Sequence, residues 1–204
     1  EERLYQHVGN PLGRGRRPWG AAGAGGGSEP APDRVPEGDP RLTAPRPVAA
    51  RDEAAILALN NAHAVELSWL APERLSHLLR QAFYARCVGD GAAFLMAFDE
   101  GADYDSPNYL WFRARHSRFV YVDRIVVDPA MRKRGLAQLL YKDLFRCAAG
   151  AGHDRIVCEV NSDPPNPASD AFHAALGFVE VGHAVLHGGA KTVRYLSRSL
   201  VPAT

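Results

Sequence analysis

The feature that most limits this chain's fold is residues 126–145, VVDPAMRKRGLAQLLYKDLF. A branched apolar run stops at Asp128-Pro129, three cations precede Gly135, and leucines then recur at helical spacing. Leu136, Leu139, Leu140, Leu144 and Cys147 make one helical face, closed by Gly150 and Gly152. The stretch therefore reads as strand, tight turn, helix. A helix start carries unpaired N–H groups and partial positive charge, so an anion docking there meets ready donors. Gly135 and Ala137 are small where a bulky side chain would block its approach, and Arg132, Lys133 and Arg134 add charge. The turn has the makings of a diphosphate seat. It is neither a GxxxxGK[ST] loop nor a three-glycine dinucleotide fingerprint, and taken alone it is equally a solvated basic helix start.

Around this unit the pattern alternates. Residues 51–68 and 72–88 read as two short helices, 92–100 as a strand, 101–109 as a loop rich in turn formers, and 118–127 as a long, mostly buried strand. Residues 155–160 form the next strand, 169–176 a helix ended by Gly177, and 178–182 and 190–200 the last strands. The expected fold class is α/β (α+β): a mixed sheet flanked by helices. Residues 1–48 differ in texture, holding 9 of the 19 glycines and 8 of the 15 prolines with little apolar periodicity. Such a segment cannot bury enough surface to offset its ordering entropy, so 1–48 is read as a disordered leader and 49–204 as the domain. No Met opens the sequence, so its natural start is expected to lie elsewhere.

A formal charge of +1 argues against a nucleic-acid binder driven by bulk electrostatics, and no aromatics interleave residues 132–134. No apolar run reaches the ~18 residues of a membrane helix, and no secretory signal core is present. Cys87, Cys147 and Cys158 share no C-x-x-C spacing and read as reduced core residues. Together these predict a cytoplasmic protein without membrane or nucleic-acid partners. The histidines show no metal-ligand spacing, so no metal is expected.

With DRIVVDPAMRKRGLA at 123–137 and NPASDAFHAALGFVEVG at 166–182, the chain resembles the GNAT superfamily of acyl-CoA-dependent N-acyltransferases across residues 51–200. Its Arg-x-x-Gly-x-Ala turn follows a hydrophobic strand, and an Asn followed after a helix by Gly-Phe occurs as Asn166, Gly177 and Phe178. The resemblance implies a largely antiparallel sheet with one splayed strand pair and acetyl-CoA as cosubstrate. Its diphosphate would rest on the backbone of Lys133, Arg134, Gly135, Leu136 and Ala137 with Arg132 alongside. Ile125, Val126 and Val127 would hold the thioester and pantetheine through their backbone, and Asn166 would complete the cofactor site. The partner would be an amine-bearing acceptor, small molecule or protein. Dimers are common in the superfamily, which leaves a homodimer open.

An attacking amine must be neutral. For a lysine-like amine (pKa ~10.4) that costs about 4.6 kcal/mol at pH 7, and for an α-amino group only about 1. The leaving thiolate, from a thiol of pKa ~8.5, needs about 2 kcal/mol of help from an acid. Glu159, an isolated carboxylate in the strand CEVN, is the expected general base; Asp123 is its rival, and either carboxylate could instead serve an ion pair. His173 stands where this family typically places a tyrosine that protonates the coenzyme A sulfur. Imidazolium can donate a proton near neutrality, but a helix histidine packed beside Leu176 is the plain alternative. The rival reading of the whole chain is a non-catalytic acyl-CoA-binding or regulatory module.

Overall fold

The computed structural model describes Leu42, residues 44–189 and residues 191–200. In chain order the elements are β1 (Arg46–Pro47), α1 (Glu53–Ala62), α2 (Ala64–Leu67), α3 (Pro72–Gln81), β2 (Tyr84–Val88), β3 (Ala93–Asp99), α4 (Pro107–Arg113), β4 (Val120–Val127), α5 (Leu136–Gly150), β5 (Arg155–Asp163), α6 (Pro167–Ala175), β6 (Val179–Leu186) and β7 (Lys191–Ser199). The seven strands form one sheet in the order β1-β2-β3-β4-β5-β7-β6. Every pairing is antiparallel except β4 with β5. This is the mixed sheet that the alternating pattern predicts, with the largely antiparallel pairing that the family resemblance implies.

Apolar side chains cover both faces of the sheet. On one face Phe98, Tyr121, Val157 and Tyr195 pack with Ile56, Leu78 and Phe112 from α1, α3 and α4. On the other, Val120, Val122, Ile156 and Cys158 pack with Leu140 and Leu144 of α5. The helical stripe read from the leucines is thus the face that docks.

The parallel pair is short: β4 and β5 pair only at Val120↔Ile156 and Tyr121↔Val157, although β4 runs on to Val127 and β5 to Asp163. The register of β4 against β3 slips where Met96↔Arg124 is followed by Ala97↔Val122, so Asp123 is an inserted residue, a β-bulge. The insertion switches the strand's parity. Tyr121 and, past the bulge, Val126 face the α1–α4 layer, while Val122 and then Ile125 and Val127 face α5. A bulge increases local bend and twist, and here it coincides with the point where β4 leaves β5.

Three expectations change. Residues 84–88 are not helical: α3 ends at Gln81, Ala82 is extended, and Tyr84–Val88 pairs along β3. The apolar residues there satisfied a helical period, but the free edge of β3 offered them a strand. Asn108 and Tyr109, read as loop, open α4, where Pro107 occupies a first-turn position that needs no N–H. The leader boundary at 48 falls too late, because Arg46 and Pro47 pair with Cys87 and Arg86. Arg46 donates to both carboxylate oxygens of buried Asp52 at 2.6 and 2.8 Å and to the Gly89 carbonyl at 2.9 Å, a long-range anchor with no local signature. Residues 1–41 and 43 of the segment read as leader lie outside the described residues. Among the described residues no helix is long and apolar enough to cross a membrane.

Beside the site, Trp111 stacks on Tyr195 with ring centroids 4.2 Å apart. A Cβ at Gly182 would sit 2.7 Å from the Trp111 ring. Gly182→Ala is therefore expected to destabilise the protein by about 1–3 kcal/mol, read as a lower urea midpoint with unchanged slope.

Candidate active site

Where β4 and β5 diverge, a cleft of about 780 Å³ opens through the sheet. Its lining brings together Ile125, Val126, Val127, Arg132, Glu159, Asn166 and His173 from the sequence-derived set, with Asp123. Lys133, Arg134, Gly135, Leu136 and Ala137 do not line it; they sit at the adjoining start of α5.

The backbone of β4 supplies the cleft's open edge. Asp128 N–H bonds the Ala92 carbonyl on the β3 side at 2.9 Å. The period of two along a strand aims Val126 and Arg124 the same way and turns the polar groups of Ile125 and Val127 toward the side β5 has vacated. The turn that follows is basic and carries two left-handed residues. Asp128 caps the Ala130 N–H at 2.8 Å, Lys133 takes φ +63 and Gly135 φ +76, and α5 begins at Leu136. A Cβ on Gly135 would meet nothing within 4 Å, so no other part of the described chain covers the backbone at the helix start. Arg132, Lys133, Arg134 and Gly135 are exposed, whereas the Leu136 side chain is buried in the core and offers only its N–H. These groups fit a diphosphate: cations, first-turn N–H donors and a residue without a side chain.

Glu159 reaches the cleft from β5 on the α1–α4 face. Its Oε1 accepts from Asn108 Nδ2 at 2.9 Å, and Asn108 Oδ1 accepts from the Tyr195 hydroxyl at 3.0 Å. Oε2 is sealed from solvent and has no partner of normal hydrogen-bond geometry. Burial pushes the Glu159 carboxyl up to about 7, and the negative Asp123 adds to the rise; the nearby Tyr121 hydroxyl and Lys191 act in the opposite sense. Its rival is occupied: Asp123 accepts from Tyr104 Oη and Arg124 Nε, both at 2.5 Å, and Arg124 Nη1 donates to Asn60 Oδ1 at 2.8 Å.

His173 comes from α6 on the opposite face and is 4% exposed. Nδ1 lies 2.8 Å from the Ser169 carbonyl oxygen and Nε2 2.8 Å from the Tyr141 hydroxyl. Burial lowers its pKa, against the raising influence of the Ser169 carbonyl and Asp170. Asn166 caps α6, its Oδ1 accepting from Ser169 N–H at 3.1 Å. Among nearby aromatics, Tyr109 is core, Trp111 packs on Tyr195, and Trp69 is 62% exposed at the cleft wall. Among the described residues no group of three His, Cys, Asp or Glu side chains is placed to hold a metal.

The sequence profile described as the Acetyltransferase (GNAT) family matches residues 65–178, more than half of the chain. This chain belongs to the GNAT family. A search of curated protein sequences found no match. Solved structures similar to this GNAT chain include the ribosomal-protein-S18-alanine N-acetyltransferase from Escherichia coli (15% identity, TM-score 0.57, covering 79% of this chain and 96% of that one). Ard1 from Thermoplasma volcanium is similar at 13% identity and TM-score 0.62, covering 78% and 97%. An aminoglycoside 6'-N-acetyltransferase complexed with coenzyme A matches at 14% identity and TM-score 0.56, covering 74% and 92%. At these identities the likeness is one of fold.

Sequence reasoning missed Asn108, Tyr141 and Tyr195. Each is a polar or aromatic residue whose role depends on a partner 32 to 87 positions away, and no local signal marks it. The anion seat generates a test. Gly135→Glu is expected to weaken acetyl-CoA binding by at least about tenfold, since a side chain and a negative charge enter the space next to the helix start. Calorimetry on the intact protein checks it.

Proposed function

We propose that this GNAT protein is an acetyl-CoA-dependent N-acetyltransferase that acetylates a primary amine by direct attack within a ternary complex. The observation that carries the reading is Glu159: a carboxylate raised to about 7 by burial, in the gap between two diverging strands. A general base works best when its pKa lies near the operating pH, which Glu159 meets without a metal ligand's help. The diphosphate of acetyl-CoA would rest on the N–H groups of residues 133–137, with Arg132, Lys133 and Arg134 screening its charge. The pantetheine would follow the unpaired edge of β4, and the Ile125 N–H would polarise the thioester carbonyl. Glu159 would take the amine's proton directly or through one water, from the acceptor side of the sheet. His173 would lie on the other side, where the departing sulfur needs a proton. The module reading is disfavoured by the expense of keeping such a carboxylate buried, which a mere binding site does not need.

Incubating the protein with acetyl-CoA and a panel of primary amines, while following free thiol, tests the proposal; tight binding without thiol release on any amine would overturn it. Glu159→Gln is expected to lower kcat/KM by about 100-fold or more at pH 7. With an aryl thioester donor, whose leaving thiolate needs no proton, kcat/KM of the wild type should climb as pH rises through about 7, because the base must be ionised and burial delays that ionisation; the variant should lack this inflection. Equal wild-type and variant rates at pH 7 would remove Glu159 from the role.

Stability gives a second readout. The folded-state pKa lies above the unfolded one, so the protonated carboxyl's contribution is present below about 4.5 and is lost as pH rises through about 7. Glu159→Gln should therefore melt higher than wild type at pH 8 and differ little at pH 4.5.

A further inference from the structure

Tyr141 and His173 belong to different helices, α5 and α6, yet meet inside the cleft. Tyr141 is wholly buried, His173 nearly so, and Tyr141 Oη is 2.8 Å from His173 Nε2. The other ring nitrogen settles which atom holds the proton. Nδ1 is 2.8 Å from the Ser169 carbonyl oxygen, which can only accept, so Nδ1 carries a hydrogen. In the neutral ring Nε2 is then a lone pair, and the Tyr141 hydroxyl donates to it. A neutral His173 has no proton to offer the cleft. A proton added at Nε2 reverses the bond: the imidazolium donates to the phenol oxygen, and the Tyr141 O–H is released to another acceptor.

The surroundings hold the pair in place. The Ser169 hydroxyl lies 3.2 Å from Nδ1, and the rings of Phe172 and Phe178 pack edgewise on the imidazole. On α6 the charged neighbour Asp170 is engaged by Arg194 of β7, and on β5 Cys158 and Glu159 act on Tyr141. Burial pushes the ionisation of Tyr141 well above the usual phenol range, so a step that left a free phenolate here would be costly.

We infer that Tyr141 is the catalytic group that hands a proton to the leaving sulfur, and that His173 resupplies it. The inference rests on the acyl-transfer reading above. As the carbon–sulfur bond of the tetrahedral adduct breaks, its electron pair goes to sulfur. Sulfur takes the Tyr141 hydroxyl proton, the phenol oxygen takes the Nε2 proton of the imidazolium, and His173 returns to neutral. No phenolate forms, and solvent restores the His173 proton once products have left. The phenol that this family typically carries on α6 is, in this chain, delivered from α5.

The test compares two acetyl donors on the full-length chain: acetyl-CoA and the acetyl thioester of 4-nitrothiophenol, whose leaving thiolate needs no proton. Tyr141→Phe should lower kcat with acetyl-CoA by about 30-fold, the factor separating a thiol pKa of ~8.5 from pH 7. Its acetyl-CoA affinity by calorimetry should stay within about twofold of wild type, and its loss with the aryl donor should be under about threefold, as expected when only protonation of the leaving group is removed. His173→Gln should behave alike, and the double variant should lose no more than either single change, because both act on one proton path. Equal losses with both donors, additive losses, or full acetyl-CoA turnover by Tyr141→Phe would overturn the assignment while leaving N-acetyl transfer standing. Should Tyr141→Phe fail to bind acetyl-CoA, the two-donor comparison on His173→Gln decides by the same criterion. Wild-type protein that releases no thiol with any amine would overturn the underlying function and the relay with it.

Discussion

The site depends on a parallel strand pair that is only two rungs long. β4 and β5 are joined at Val120↔Ile156 and Tyr121↔Val157 and then separate, and the inserted Asp123 lies two residues beyond the last rung. A regular ladder would have spent the backbone groups of Ile125 and Val127 on β5. The bulge is held by polar contacts: Tyr104 and Arg124 on the Asp123 carboxylate, and Asn60 on Arg124. That chain continues through Asn60 Nδ2 to Asn61 Oδ1 and from Asn61 to both backbone groups of Leu70, so the opening in the sheet and the wall of the cleft are fixed by one buried network. Buried ion pairs contribute little net stability but are costly to break from one side, which suits a feature that must keep a single shape.

The gap also brings two chemistries together from opposite faces. Glu159 shares the α1–α4 face with Asn108 and Tyr195, while His173 and Tyr141 belong to the α5–α6 face. Desolvation moves both titratable groups toward their neutral forms, raising the carboxyl and lowering the imidazole. Each group is restrained by a polar partner on an adjacent element, so the separation between the Glu159 carboxylate and the Tyr141–His173 pair is set by the packing of α4, α5 and α6 on the sheet.

Much of this was legible in the residues. The proline stop, the cations and Gly135 announced a strand, a tight basic turn and a helix, because proline geometry, left-handed backbone and helical period are properties of near neighbours. Asn166 as a cap before Pro167 is legible for the same reason. Residues 84–88 were misread because a short apolar run satisfies more than one period until a partner strand is known. The β1 anchor at Arg46 escaped notice because its acceptors, Asp52 and Gly89, are brought to it by the fold.

The sequence by itself determined the alternation of strands and helices, the basic, glycine-bearing turn at residues 132–137 and the placement of a lone carboxylate at Glu159 on a core strand, since each follows from contacts within a few residues. Only the tertiary structure decided that Asp123 would be a bulge, that Asn108 and Tyr195 would address Glu159 across 51 and 87 positions, and that Tyr141 would meet His173 across 32. Those pairings arise from helices docking on two faces of a split sheet, where packing selects which polar groups are buried together.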